Sequence, residues 1–382
     1  MMRLGKVSGR KWVVVGLVLG AVGIKGALFG QSGRKPWPAR FVIPLPRDCW
    51  PQGFTLDGRS YWAANWAANE SEVVSWNLAT GERLPPPPEP MIWPLSNPSV
   101  GRGYVGVMMA AKPNEREAVW VDRASGVVRA RLPVGNGHIS FARVLDEGRS
   151  IRALLTQMDK TTGGPAITEV VTWDIANGTD VRRPSSAPGG ANVAGLAWSS
   201  DGRLLYAYLD KSRGTIQVWD MEADRPLGKP LPAPRVLPLR QPSAAFTPDG
   251  RTLIVGRDDG RAEFWDVAES RLVKTLKVHP SDYGLFGPID LSPDGRTLTS
   301  TAYFSSRSPL VNWLWRGFDR ISPGWTARAL NEAVVIDLAT EQVLARSPGS
   351  MTSQFSPDGR TIVTRERDWT LTVRDAPQPV GR

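Results

Sequence analysis

Side chains able to do covalent or acid–base chemistry are scarce in this chain. There is one cysteine, Cys49, and there are two histidines, His138 and His279. A thiol or hydroxyl nucleophile needs a base within hydrogen-bond reach, so Cys49 or any serine would have to recruit one of those two imidazoles. A single cysteine excludes an intramolecular disulfide and a Cys-cluster metal site, and two histidines leave little for zinc. The segment Gly101-Arg-Gly-Tyr-Val-Gly106 fits the dinucleotide-binding pattern letter for letter. That pattern works only between a parallel strand and a helix, whereas here it sits in a hairpin turn and runs into Val107-Met-Met-Ala110. No phosphate-binding Lys loop, His-Glu-Xaa-Xaa-His or Gly-Xaa-Ser-Xaa-Gly occurs. The expectation is therefore a protein that is not an enzyme and carries no cofactor or metal.

Binding chemistry is better represented. The segment 305–332 carries Trp313, Trp315, Arg316, Phe318 and Trp325, and exposed Trp beside Arg is the composition of interface hot spots. The leading reading is nevertheless a cap, with Trp313, Leu314 and Phe318 folded back over the body, ahead of partner binding and of membrane dipping. Two smaller candidates are Arg257, Asp258 and Asp259, and Arg365, Arg367 and Trp369. All of these are partner-binding candidates, the partner being a protein or peptide.

A repeat must position them. A Gly-Arg pair opens an apolar segment at Gly58, Gly101, Gly148, Gly202, Gly250, Gly295 and Gly359. In five cases the lead-in is an aromatic or Leu, then Ser or Thr, then Xaa-Asp-Gly-Arg, as in Phe246-Thr-Pro-Asp-Gly-Arg251 and Leu291-Ser-Pro-Asp-Gly-Arg296. Pro presets the first corner of a turn, Asp caps it through its side chain, and Gly takes the positive φ that lets two strands pair. Farther on comes an apolar strand ending in Trp and a polar residue: Val73-Val-Ser-Trp-Asn77, Val170-Val-Thr-Trp-Asp174, Ile216-Gln-Val-Trp-Asp220 and Ala262-Glu-Phe-Trp-Asp266. A short turn such as Ala79-Thr-Gly-Glu82 leads to a fourth strand. The strand-end residues Trp76, Trp120, Trp173, Trp219 and Trp265 read as core.

Four strands per unit, seven times over, is the arithmetic of an all-β, seven-bladed β-propeller. The Asp-Gly-Arg and Trp-Asp wording resembles the WD40-repeat family across roughly residues 41–376. The chain departs from that family in lacking the Gly-His pair that starts each repeat, so blade stability is expected to rest on apolar packing between sheets. The resemblance implies a protein-interaction scaffold. The alternative is a propeller enzyme or small-ligand binder using the central channel, because such channels gather residues far apart in sequence.

The sixth repeat is the irregular one. There 42 residues separate Gly295 from Asp337, against 16 between Gly250 and Asp266, so 305–332 is an insertion between second and third strands. The seventh repeat ends at Asp375 with only a short Pro-containing tail, so its blade lacks a fourth strand. The apolar stretch 40–45, Arg40-Phe-Val-Ile-Pro-Leu45, is expected to supply it and close the ring of 40–382. Closure removes an exposed sheet edge.

The formal charge of +10 is local. Residues 1–40 hold eight basic residues and no acid, which leaves 39 basic against 37 acidic residues in the remainder. Nucleic acid is therefore not expected as a partner. Residues 12–30 are apolar or Gly apart from Lys25, a length between a signal-peptide core and a membrane span. The reading is a basic flank at 1–11, a membrane-anchor helix acting as signal anchor (or a cleaved signal peptide) at 12–30, and a linker at 31–39. The propeller would then be exported and membrane-anchored, or secreted if the segment is cleaved, with its insertion-bearing face turned away from the bilayer.

Overall fold

The computed structural model describes residues 37–46, 49–54, 58–65, 73–85, 93–94, 103–109, 116–122, 128–135, 138–146, 149–158, 165–187, 193–209, 214–232, 244–257, 259–279, 283–285, 289–304, 331–366 and 368–378. The 12–30 segment lies outside them. Among the described residues no helix is long and apolar enough to cross a membrane, and all regular structure of any length is strand.

The repeated turn explains the strands. In the fifth repeat the Gly250 amide donates to the Thr247 carbonyl and the Thr247 amide to the Thr252 carbonyl, both at 2.9 Å. Inside that loop the Thr247 hydroxyl donates to Asp249 at 2.6 Å, and Asp249 accepts the Arg251 amide at 3.1 Å. Those two bonds hold the Asp249 carboxyl below its ordinary range, the Thr247 hydroxyl contributing most. Ser199/Asp201, Ser292/Asp294 and Ser356/Asp358 repeat the arrangement. Gly250 sits at φ 69°, a region a Cβ disfavours. Residue types at four successive positions thus lock one hairpin.

Among the described residues the strands form seven antiparallel sheets that follow one another along the chain. The third, fourth and fifth sheets are four-stranded meanders, the fifth running through Ala244–Phe246, Thr252–Gly256, Arg261–Asp266 and Arg271–Lys277. The first has three strands, with Arg83 bridging to Trp76 where a fourth would run. In the seventh, Phe41–Pro44 pairs with Thr370–Asp375 in the register Phe41↔Val373 and Ile43↔Leu371. The chain's two ends therefore share one sheet. This meander of small sheets fits a β-propeller.

Apolar clusters join consecutive sheets. Ala130 and Val134 of the second meet Ile151 and Trp173 of the third. Leu154 and Val170 of the third meet Trp198 and Leu205 of the fourth, and Ile216 and Val218 of the fourth meet Leu253 and Val255 of the fifth. Ile254 and Phe264 of the fifth meet Leu298 and Val334 of the sixth. Val363, Leu371 and Val373 of the seventh pack with Tyr61, Ala63 and Trp76 of the first. Burying a Val or Leu side chain contributes about 1.5–3 kcal/mol, so each seam is held mainly by such contacts. Trp76 and Trp173 are core residues. Trp219 and Trp265 pack against the clusters but remain half-buried, because the outermost strands that cover them are narrow and exposed.

The seam between the sixth and seventh sheets is different. Its apolar cluster is Val335, Ala345, Phe355, Ile362 and Ala376, and polar bonds supplement it. Thr299 donates to Ser353 at 2.7 Å, and the Ser350 hydroxyl lies 2.9 Å from Ser347. Apolar packing is thus not the sole support between sheets.

Candidate partner-binding surface

Every sheet has two ends, and they differ. The Asp-Gly-Arg turns mark one; the turns between second and third strands mark the other. The N-terminal segment enters at the first of these. Ala376 donates to the Arg360 carbonyl at 2.8 Å, which places Asp375 beside an Asp-Gly-Arg turn. Trp37 Nε1 donates to the Asp375 carbonyl at 3.0 Å, and Arg40 pairs with the Asp375 carboxylate at 3.0 Å. Arg374 lies over the Trp37 ring, 5.1 Å from its centroid.

At the opposite end lie Arg365, a buried residue near the end of strand Thr361–Glu366, and Trp369, half-buried in the turn that leads to Thr370–Asp375. The Arg365 guanidinium sits 4.5 Å from the centroid of the Trp369 ring, cation–π geometry. Trp369 has φ 61°, while the corresponding position of the fifth sheet is Gly260 at φ 81°. A left-handed conformation costs a side-chain-bearing residue about 1–2 kcal/mol. Packing against the closing cluster and the Arg365 stack offset that cost. The Trp369 carbonyl also accepts the Leu45 amide at 2.7 Å, so the turn is tied to the N-terminal strand. Burial, opposed by the charge of Arg365 and assisted by that of Asp290, raises the pKa of Tyr61, whose hydroxyl donates to Gln354 at 2.9 Å. Tyr61 and Gln354 thus join the first sheet to the seventh.

Arg257 and Asp259 are engaged internally. Arg257 pairs with Glu263 at 2.6 Å, and Glu263 also accepts Trp265 Nε1 at 3.0 Å. Asp259 accepts from Arg261 Nε at 2.7 Å, and its carbonyl accepts Lys277 at 3.1 Å. Burial works against the Asp259 charge, but the bonds from Arg261 prevail and lower its pKa. These two residues brace the fifth-sheet turn, whereas Arg365 and Trp369 belong to the seventh. Asp258, Arg367, Trp313, Trp315, Arg316, Phe318 and Trp325 lie outside the described residues.

The insertion is shorter than its sequence suggests. Strand Thr297–Phe304 ends where expected, but the next begins at Asn331, so Asn331 and Glu332 are strand residues and the insertion spans 305–330. Cross-strand pairing of Asn331 with Tyr303 and Glu332 with Ala302 explains the shift. At this root lies a buried polar group that sequence reasoning missed. Glu332 is bonded by Arg346 at 2.6 Å and lies 4.0 Å from His279 Nδ1. Burial holds His279 near a pKa of about 3, with Arg346 and Lys277 adding to the effect, and burial raises Glu332 despite Arg346. No spacing signal links 279 to 332; only the packing of the fifth sheet on the sixth does. Among the described residues no group of three or more His, Cys, Asp or Glu is arranged to hold a metal.

Small meandering antiparallel sheets with two unlike ends fit the propeller type. Residues 242–266, from the approach to the fifth sheet through its third strand, match the family described as WD domain, G-beta repeat. The chain is also 32% identical over 105 residues to the periodic tryptophan protein 2 homolog of Schizosaccharomyces pombe. That similarity covers 27% of this chain and 11% of the relative's length. The matched repeat, the fifth, is thus similar to the WD40 type.

Proposed function

We propose that the protein is a seven-bladed WD40-type propeller acting as a non-enzymatic scaffold, which binds a protein or peptide partner on the face opposite its Asp-Gly-Arg turns. The observation that carries this reading is the Arg365–Trp369 stack, 4.5 Å between guanidinium and ring centroid, on a turn whose Trp is held at φ 61°. Strain retained by a bulky aromatic points to use of that side chain, Trp is a leading interface hot-spot residue, and Arg365, itself buried, holds the half-exposed ring in place. Seven sheets in chain order and the shared closing sheet support the ring. Residues 12–30 would anchor it, with the body exported, or secreted after cleavage. Entry of the chain beside Asp375 leaves the partner face pointing away from the bilayer.

Trp369→Gly provides the test, because Gly accepts the positive φ and keeps the turn. The full chain and this variant are used as baits alongside Arg365→Ala. The expected result is proteins captured by the wild type and lost from both variants, with Trp369→Gly within about 1–2 kcal/mol of the wild type in unfolding free energy, since relieved strain offsets lost packing. Identical captured proteins from all three baits would contradict the proposal.

A further inference from the structure

The outermost strands of the third, fourth and fifth sheets carry a charge bias that the near-neutral body conceals. Their sequences are Thr179–Pro184 (TDVRRP), Arg225–Pro232 (RPLGKPLP) and Arg271–Lys277 (RLVKTLK), which hold seven cations and one acid. Asp180 is taken up by Arg182 at 2.6 Å, and Lys274 pairs with Glu341 at 2.7 Å. Arg183 donates to the Met221 carbonyl at 3.1 Å and lies close enough to Asp224 to help lower the pKa of that carboxyl. Arg225, Lys229 and Arg271 are exposed and form no ion pair among the described residues.

Each of these strands is tied to the next sheet through a turn. The Arg183 bond to Met221 joins the third sheet to the fourth, and the Lys229 amide donates to Ser270 at 2.7 Å, joining the fourth to the fifth. The same track holds three of the exposed large aliphatic side chains, Val181 at 65%, Leu272 at 41% and Val273 at 55%. Charge on an edge strand blocks edge-to-edge pairing whichever its sign. Edge protection therefore accounts for charge here, but neither for its single sign nor for aliphatic side chains set between the cations.

We infer that this rim is a second docking surface, taking an extended acidic segment of a protein partner with aliphatic side chains between its acids. Acidic groups complement the Arg and Lys residues, and the aliphatic ones cover Val181, Leu272 and Val273. Single-stranded nucleic acid stacks its bases on aromatics, and the three strands contain none. A bilayer holding residues 12–30 fits poorly, because the chain enters at the seventh sheet. The inference does not depend on the Arg365–Trp369 face.

A fluorescent peptide alternating Glu and Val is titrated onto the full chain by anisotropy, beside a Lys–Val peptide, duplex DNA and vesicles of anionic phospholipid. The Glu–Val peptide should bind and the Lys–Val peptide should not. Arg271→Glu with Lys277→Glu should weaken it by about tenfold or more. Leu272→Thr with Val273→Thr should weaken it several-fold while leaving the salt dependence unchanged. Trp369→Gly should leave the affinity as it is, so rim and face fail separately. Absence of Glu–Val binding overturns the inference, as does equal binding to all variants. DNA or vesicles binding as tightly as the peptide, regardless of the Leu272 and Val273 changes, would also overturn it.

Discussion

His279 shows how little a residue's type says before its neighbours are known. In sequence it was one of two histidines with no companion motif. In the fold it is 1% exposed, beside Glu332 at the root of the insertion. Its folded value near 3 lies below the ordinary 6.5, so in acid the unfolded chain binds a proton that the folded chain does not. Its contribution is complete above about pH 6.5 and is lost as pH falls towards 3, by at most about 1.4 kcal/mol per pH unit. Glu332 works the other way. Its raised value means that the folded state gains its proton first, offsetting part of the loss where that carboxyl titrates. Urea unfolding of wild type and His279→Gln at about pH 7.5, 5.5 and 4.5 checks this. The wild type should lose stability relative to the variant as pH falls; a constant difference would contradict it. Trp369 was the more legible residue, since it stood among the loop candidates in sequence, although its positive φ and its stack with Arg365 were not visible there.

At the scale of elements, the turns were the legible part. Ser or Thr, Asp, Gly and Arg in fixed order dictate a hairpin whose bonds close within six residues, and the structure shows those bonds in four repeats. Contacts between sheets were not legible, because they depend on curvature and on which sheet end meets which. Gly228 is an instance. It lies at φ 67°, and a Cβ there would come within 2.0 Å of Ser270 Oγ and 3.2 Å of the Val267 carbonyl. Nothing in Pro226-Leu-Gly-Lys229 announces that neighbour. Gly228→Ala should destabilise by about 2–4 kcal/mol, combining the left-handed cost with a clash against the fifth sheet. Thermal unfolding measures this, and Ser270→Ala combined with Gly228→Ala should recover part of the loss. No loss in the single variant would show that the two sheets do not abut there. The exposed rim was hidden for a related reason: its charges are diluted in the sequence and gather only when the three outer strands are tied sheet to sheet.

For the whole molecule, the repeat count gave the sheet count, and the missing last strand pointed to the N-terminal one. The polar seam between sixth and seventh sheets and the two-residue shortening of the insertion could not be read, since both follow from packing of irregular repeats. In the proposed ring, closure depends on Ile43, Val363, Leu371 and Val373 meeting Tyr61 and Trp76. Leu371→Ala, at a fully buried position, should therefore cost about 2–5 kcal/mol. A change under about 1 kcal/mol in denaturant unfolding would mean that this seam does not hold the ring. The most direct measurement is an experimental density map of the full chain. It should show seven sheets set radially about one axis, with Phe41–Pro44 as the outer strand beside Thr370–Asp375 and the Arg365–Trp369 turn on the face remote from the entering chain. A different number of sheets, or an N-terminal strand seated elsewhere, would contradict it.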